Sequence, residues 1–173
     1  MNPMTPQDNP MSPQEISSMS IKELAEYLNL PFDLVHNLMC NWHNSVLGQW
    51  SCLGIDGYDW IPKRIILLNA FPLNAFSVAV NVKIYPTEAR KLLEFLAQLP
   101  HDYRCYIGHK PTADLIVKYL GSINCTRGIY SYNPSDEVLV AFVLKARPNT
   151  SGVDINVSLD DLAAYIILPS PLS

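Results

Sequence analysis

Two short apolar runs constrain this chain more than anything else in it. Ile65-Ile66-Leu67-Leu68 and the stretch from Val138 to Leu144 carry no charge and no proline. Each is far too short to cross a bilayer. Brief unbroken runs of this kind read as strands covered on both faces, expected here over residues 64–70 and 137–145. Between them lie segments of helical period. Ala89, Leu92, Leu93 and Leu96 share one face behind Thr87, and Leu115, Ile116, Tyr119 and Leu120 repeat the spacing before Gly121. Strands interspersed with helices predict an α/β layer structure.

Further elements follow from local signals. Residues 76–85 alternate and end at Pro86, which predicts a strand or extended arm. Thr87 is the expected cap of a helix over residues 88–99. Residues 104–107 and 126–132 read as short strands, and Asn133-Pro134-Ser135-Asp136 as a turn. Ser158 is expected to cap a short helix over 159–164, with an edge strand over 165–168.

The first third has a different character. Residues 1–19 are dominated by Met, Asn, Pro, Gln and Ser and read as a disordered tail. Ser20-Ile21-Lys22-Glu23 is a capping box opening a helix with Ile21, Leu24, Ala25 and Leu28 inward. Asn29-Leu30-Pro31 breaks it, and a second helix is expected from Phe32 towards Val46. The chain therefore divides into a tail (1–19), a helical, helix-turn-helix-like appendage with its linker (20–60) and an α/β domain (61–173). The appendage is expected to add a dimer contact or a lid.

Charge narrows the partners. The net charge is −4, from 12 basic and 16 acidic residues. Residues 1–60 hold only Lys22 against seven acids, whereas 61–173 hold eleven bases against nine acids, so an anionic ligand belongs to the second part. A DNA-reading helix needs Lys or Arg, and residues 32–47 contain none. Long nucleic acid is not expected as a partner, although a DNA-binding regulator remains the alternative that the helix pair suggests. His36, Cys40 and His43 share a helix face and Cys52 follows, but the spacing fits no structural zinc pattern, so no metal and no cofactor are expected. The cysteines are Cys40, Cys52, Cys105 and Cys125, without a C-x-x-C pair; free thiols are expected. No charged stretch leading into an apolar one follows Met1, so the expectation is a cytoplasmic protein with no signal peptide and no membrane partner.

One segment points to chemistry. Ile107-Gly108-His109-Lys110-Pro111-Thr112-Ala113 runs from a loop into a helix, with Pro111 suited to the first turn. His109 then stands beside unsatisfied N–H groups and the positive end of the helix dipole, a ready place for phosphate. A histidine there could give a proton to a leaving oxygen; the plainer reading is a cap or loop residue.

Four segments fall in a telling order: residues 67–74 (Leu-Leu-Asn-Ala-Phe-Pro-Leu-Asn), residues 107–113, Leu120-Gly121 with Arg127, and residues 138–147 with Gly152. Over residues 63–168 the chain resembles the viral ring-nuclease family that includes type III anti-CRISPR proteins. The resemblance implies a homodimer built on a five-stranded sheet with flanking helices. It also implies a cyclic oligoadenylate ligand, the cyclic tetra-adenylate of type III CRISPR signalling, cut without a metal. His109 would be the general acid, with Arg147 as the second catalytic residue. Asn69, Asn74, Thr112 and Arg127 would contact the ligand, and Lys110 adds charge at the same helix start, unless it is a solvated surface charge. The chain departs from the family pattern at Pro72, at Val143 and in residues 148–152, which hold no acid where family members often place one. That departure motivates a second alternative, a binder that does not cut.

Overall fold

The computed structural model describes residues 18–39, 54–55, 58–59, 64–99, 102–121, 123–125, 130–132, 137–145 and 157–171. In chain order these form helices α1 (Ile21–Leu28) and α2 (Phe32–Leu38), and the small antiparallel pair β1 (Gly54–Ile55) and β2 (Tyr58–Asp59). Then come β3 (Arg64–Leu68), β4 (Val80–Glu88), α3 (Ala89–Leu96), β5 (Asp102–Cys105), α4 (Lys110–Leu120), β6 (Glu137–Leu144) and β7 (Leu162–Pro171). The main sheet is five-stranded and mixed, in the order β4-β7-β6-β3-β5. β3 is parallel to both β5 and β6, whereas β7 is antiparallel to β6 and to β4. The α/β architecture expected from the apolar runs is therefore present.

Period-two alternation divides the buried side chains between the two faces of the sheet. Ile65, Leu67, Val138, Val140, Phe142, Ala164 and Ile166 join the main core, to which all four described helices contribute. Ile66, Leu68, Leu139, Ala141 and Ile167 point the other way, into a smaller cluster without helices. That cluster is covered by Ala75 and Tyr130, with Phe76, Tyr106 and Tyr132 packed against it. Among the described residues, one layer of helices thus sits on one face, and loops and aromatic rings cover the other.

The N-terminal helices belong to the helix layer. The Ser20–Glu23 capping box forms as its sequence requires, and Asn29 ends α1 in the left-handed region at φ 55°. Leu24, Leu28, Leu34, Val35 and Leu38 are buried in the main core. Tyr27 donates to Glu94 of α3, and Lys91 lies 4.8 Å from the Tyr27 ring centroid. The apolar surface that suggested a DNA-reading helix pair is spent on this packing. Residues 40–50, with Cys40 and His43, lie outside the described ones, as does Cys52.

Several boundaries differ from the sequence reading. β4 runs through Pro86 to Glu88, so α3 starts at Ala89 and reaches only Leu96. Pro86 is tolerated because β4 is an edge strand and needs no inward N–H there. Thr87 does not cap α3; its hydroxyl donates to the Leu28 carbonyl and ties α1 to the sheet. The expected helix over 159–164 is a single 3-10 turn, Leu159–Asp161, closed by a Ser158–Asp161 capping box. β7 is not an edge strand, because Ala163 to Ile167 pair with β6 on one side and β4 on the other. Its prolines, Pro169 and Pro171, fall where only β4 remains alongside. Of the strand expected over 126–132, residues 126–129 are not described and 130–132 form no strand. No described helix is long and apolar enough to cross a membrane.

The expectation of free thiols is overturned for one pair. Cys105 and Cys125 form a disulfide with Cα atoms 4.4 Å apart. A search for C-x-x-C spacing misses it, because topology makes the pair: the last residue of β5 and a residue just past α4 meet in a parallel bridge. The bridge closes a loop of sequence separation 20 that contains all of α4. Constraining a loop of this length in the unfolded chain is worth about 3 kcal/mol. Reduction, or Cys125→Ser, is therefore expected to lower unfolding stability by about that amount in urea titrations. An unchanged urea midpoint under reductant would show that the bridge contributes nothing.

Candidate functional site

Because β3, β5 and β6 are parallel, their carboxyl ends Leu68, Cys105 and Leu144 all point to one edge of the sheet. The chain after β3 does not leave directly. It folds through a 3-10 turn, Leu73–Ala75, and the Ala75 carbonyl accepts the Tyr132 N–H at 3.0 Å. Phe76 packs on Tyr132 at 5.2 Å between ring centroids, and Tyr106 on Tyr130 at 5.4 Å. These contacts leave a cavity of about 300 Å³ between the loop and the two tyrosines Tyr106 and Tyr130. Its wall runs from Leu68 through Asn69, Asn74 and Ala75. That is the lower end of the size range of small-ligand pockets. Asn69 is half-buried and Asn74 exposed, so both amides are at the cavity mouth or wall rather than sealed in the core.

The next loop carries the histidine. Tyr106 continues the edge of β5, its N–H donating to the Leu67 carbonyl at 2.9 Å. Ile107 turns into the main core. His109 occupies the N-cap position of α4, and Pro111 lies in the first turn, as its missing N–H allows. The His109 side chain caps no backbone N–H. Its Nδ1 instead lies 2.7 Å from the hydroxyl oxygen of Thr112, which is buried. His109 is not part of the cavity wall; the two share one edge and one loop.

The remaining residues named from sequence divide as follows. Asn69 and Asn74 are brought together at the cavity. Thr112 meets His109 rather than the cavity. Lys110 is exposed and pairs with Asp114 at 2.9 Å, one turn along α4. Arg127 and Arg147 lie outside the described residues; β6, which precedes Arg147, ends at this same edge.

No protein-family model matches the sequence, and no curated protein does. Among solved structures, the fold is similar to B116 of Sulfolobus turreted icosahedral virus. The identity is 17% and the TM-score 0.41, covering 61% of this chain and 98% of that one.

A polar network runs along the helix-free face, away from the cavity mouth. Arg64 reaches Asp102 at 3.3 Å and Glu137 at 3.4 Å. Arg104 grips Asp102 through two nitrogens, at 3.2 and 3.3 Å. Glu137 is buried and its other carboxylate oxygen accepts the Tyr130 hydroxyl, so a wall residue of the cavity is anchored in this network. Tyr106 and Tyr130 escaped the sequence reading. The available signal was parity: Asp102, Arg104 and Tyr106 alternate with the core residues Tyr103 and Cys105 and must face away from the helices.

Two outcomes follow. The Arg104 guanidinium, with Arg64, holds the Asp102 carboxyl below its ordinary 3.8. A lowered carboxyl pKa stabilises the fold above the ordinary value, and that stability is lost as pH falls through the lowered one. The loss of stability in acid, followed as the urea midpoint below pH 3.8, is expected to be shallower in Asp102→Asn, by a small margin because the pair is solvent-exposed. Separately, Thr112→Val keeps the buried shape and removes the partner of His109; it is expected to cost about 1 kcal/mol in stability. It should also move the His109 ring ¹⁵N resonances, and an unmoved spectrum would mean the bond is absent in solution.

Proposed function

We propose that this chain is a ring nuclease that opens a cyclic oligoadenylate, the cyclic tetra-adenylate in the first instance, into linear di-adenylates. The observation that carries this reading is His109, held through Nδ1 by Thr112 at the N-terminus of α4, on the sheet edge where Asn69 and Asn74 frame a cavity. The order of the four sequence segments supports it independently.

The chemistry these side chains suit needs no metal. A ribose 2′-oxygen attacks the adjacent phosphorus, and its proton passes to solvent. The 2′-O–P bond forms as the P–O5′ bond breaks, leaving a 2′,3′-cyclic phosphate and a new 5′-hydroxyl. Holding the ring in line supplies the approach geometry. With Nδ1 engaged by Thr112, Nε2 of His109 is the nitrogen that gives the leaving oxygen its proton. The amides of the first α4 turn are suited to a phosphoryl oxygen. Arg147 and Arg127 are the guanidiniums suited to the charge that builds on phosphorus-bound oxygens. A two-fold homodimer would present two His109 side chains to a pseudo-fourfold ring and cut it at opposite linkages. Opening that ring would remove the signal that activates type III CRISPR ancillary nucleases.

A second reading is a non-cleaving binder of the same ligand, favoured by the run Pro148-Asn149-Thr150-Ser151-Gly152, which lacks an acid. Incubation with cyclic tetra-adenylate and a chelator separates the two. The expected products are linear di-adenylates, absent in His109→Ala, with a fall in rate of at least about a hundredfold, as loss of a general acid implies. Tight binding of an intact ring by the unaltered protein would replace the enzyme with the binder.

A further inference from the structure

We infer that Tyr106 is the residue that stacks on a nucleobase in the cavity, and that Glu137 positions the wall behind it, making this cavity a purine subsite. The inference deepens the proposed function and rests on its reading of the cavity as nucleotide-binding.

Tyr106 is half-buried at the cavity wall, and Tyr130 is almost wholly buried beside it. The two rings are tilted by 59°, so they form a corner and not a closed stack that would consume both faces. Both are fixed from outside the cavity. The backbone of Tyr106 is pinned to Leu67 of β3, and the Tyr130 hydroxyl is committed to buried Glu137, which Arg64 holds in turn. An aromatic wall held in this way loses little entropy when a flat ligand arrives. The same cavity is lined by Asn69 and Asn74, whose side chains carry carboxamides. A carboxamide can pair two-fold with the N6 and N7 atoms of adenine, and an aromatic face stacks on any base, most strongly on the larger purine. Stacking platform and amide edge in one small cavity are the two halves of adenine recognition. Glu137, in this account, is a positioning residue, since it touches Tyr130 and not the ligand.

The test uses the full chain and adenosine 5′-monophosphate against uridine 5′-monophosphate, titrated by calorimetry or NMR. Adenosine monophosphate is expected to bind more tightly than the uridine nucleotide. Tyr106→Ala should weaken adenine binding roughly five- to a hundredfold and erase the preference, the range expected for one base–aromatic stack. Tyr106→Phe should restore both, which a merely structural role would not predict, and thermal melts confirm that each variant is folded. Glu137→Gln should blunt the preference without abolishing binding. An unchanged Kd and preference in Tyr106→Ala, or no adenine-dependent binding in the unaltered protein, overturns the inference. The ring-opening assay reads out separately. An uncut ring with intact Tyr106-dependent adenine binding removes the nuclease and keeps the subsite. A ring cut equally well by Tyr106→Ala, with KM unmoved, removes the subsite and keeps the nuclease.

Discussion

β3 is the member on which the rest of the molecule depends. Ile65 to Leu68 are buried without exception, Ile65 and Leu67 under the helices and Ile66 and Leu68 under the loops and rings of the opposite face. Its backbone is paired on both sides, by β5 and by β6, in the same direction. Such a strand cannot slip by one residue without exchanging the two faces. Each loop at the carboxyl edge is therefore placed from it. The cavity loop leaves from Leu68, and the Tyr106 amide, at the root of the histidine loop, is bonded to Leu67.

The two faces of that sheet do different work. The helix face is an ordinary apolar interior into which α1 and α2 are fully incorporated, with Leu28 bonded to Thr87 and Tyr27 to Glu94. Among the described residues, the other face is covered by one loop and a set of aromatic rings, and Arg64, Glu137 and Tyr130 form a network on it. The cavity lies on this face, between that loop and the tyrosine rings. The N-terminal helices, on the far side, reach the site only through the sheet.

What could be read from sequence follows the same physics. β3, β6 and the His109 helix start were legible because each is a local signal: an unbroken apolar run, or a proline and periodic face behind a loop. β7 was read as a short edge strand over 165–168, but it spans Leu162–Pro171 and pairs on both sides, the pairing with β6 ending before Pro169. Thr87 looked like a cap because its hydroxyl suits one, yet a carbonyl 59 residues away in sequence claimed it. The disulfide and the tyrosine corner were invisible for one reason: each joins segments separated by α4, and no local pattern encodes where a helix returns the chain.

The Cys105–Cys125 bridge has a topological consequence for the histidine. Helix α4 and His109 lie on a covalently closed circle of backbone hinged at the end of the edge strand β5. Even when tertiary packing is lost, the imidazole stays tethered within a short radius of β5, and the helix has only a small volume to explore before redocking. A peptide bond cut inside the circle would leave both fragments joined at sulfur, so the histidine loop could be nicked without being shed.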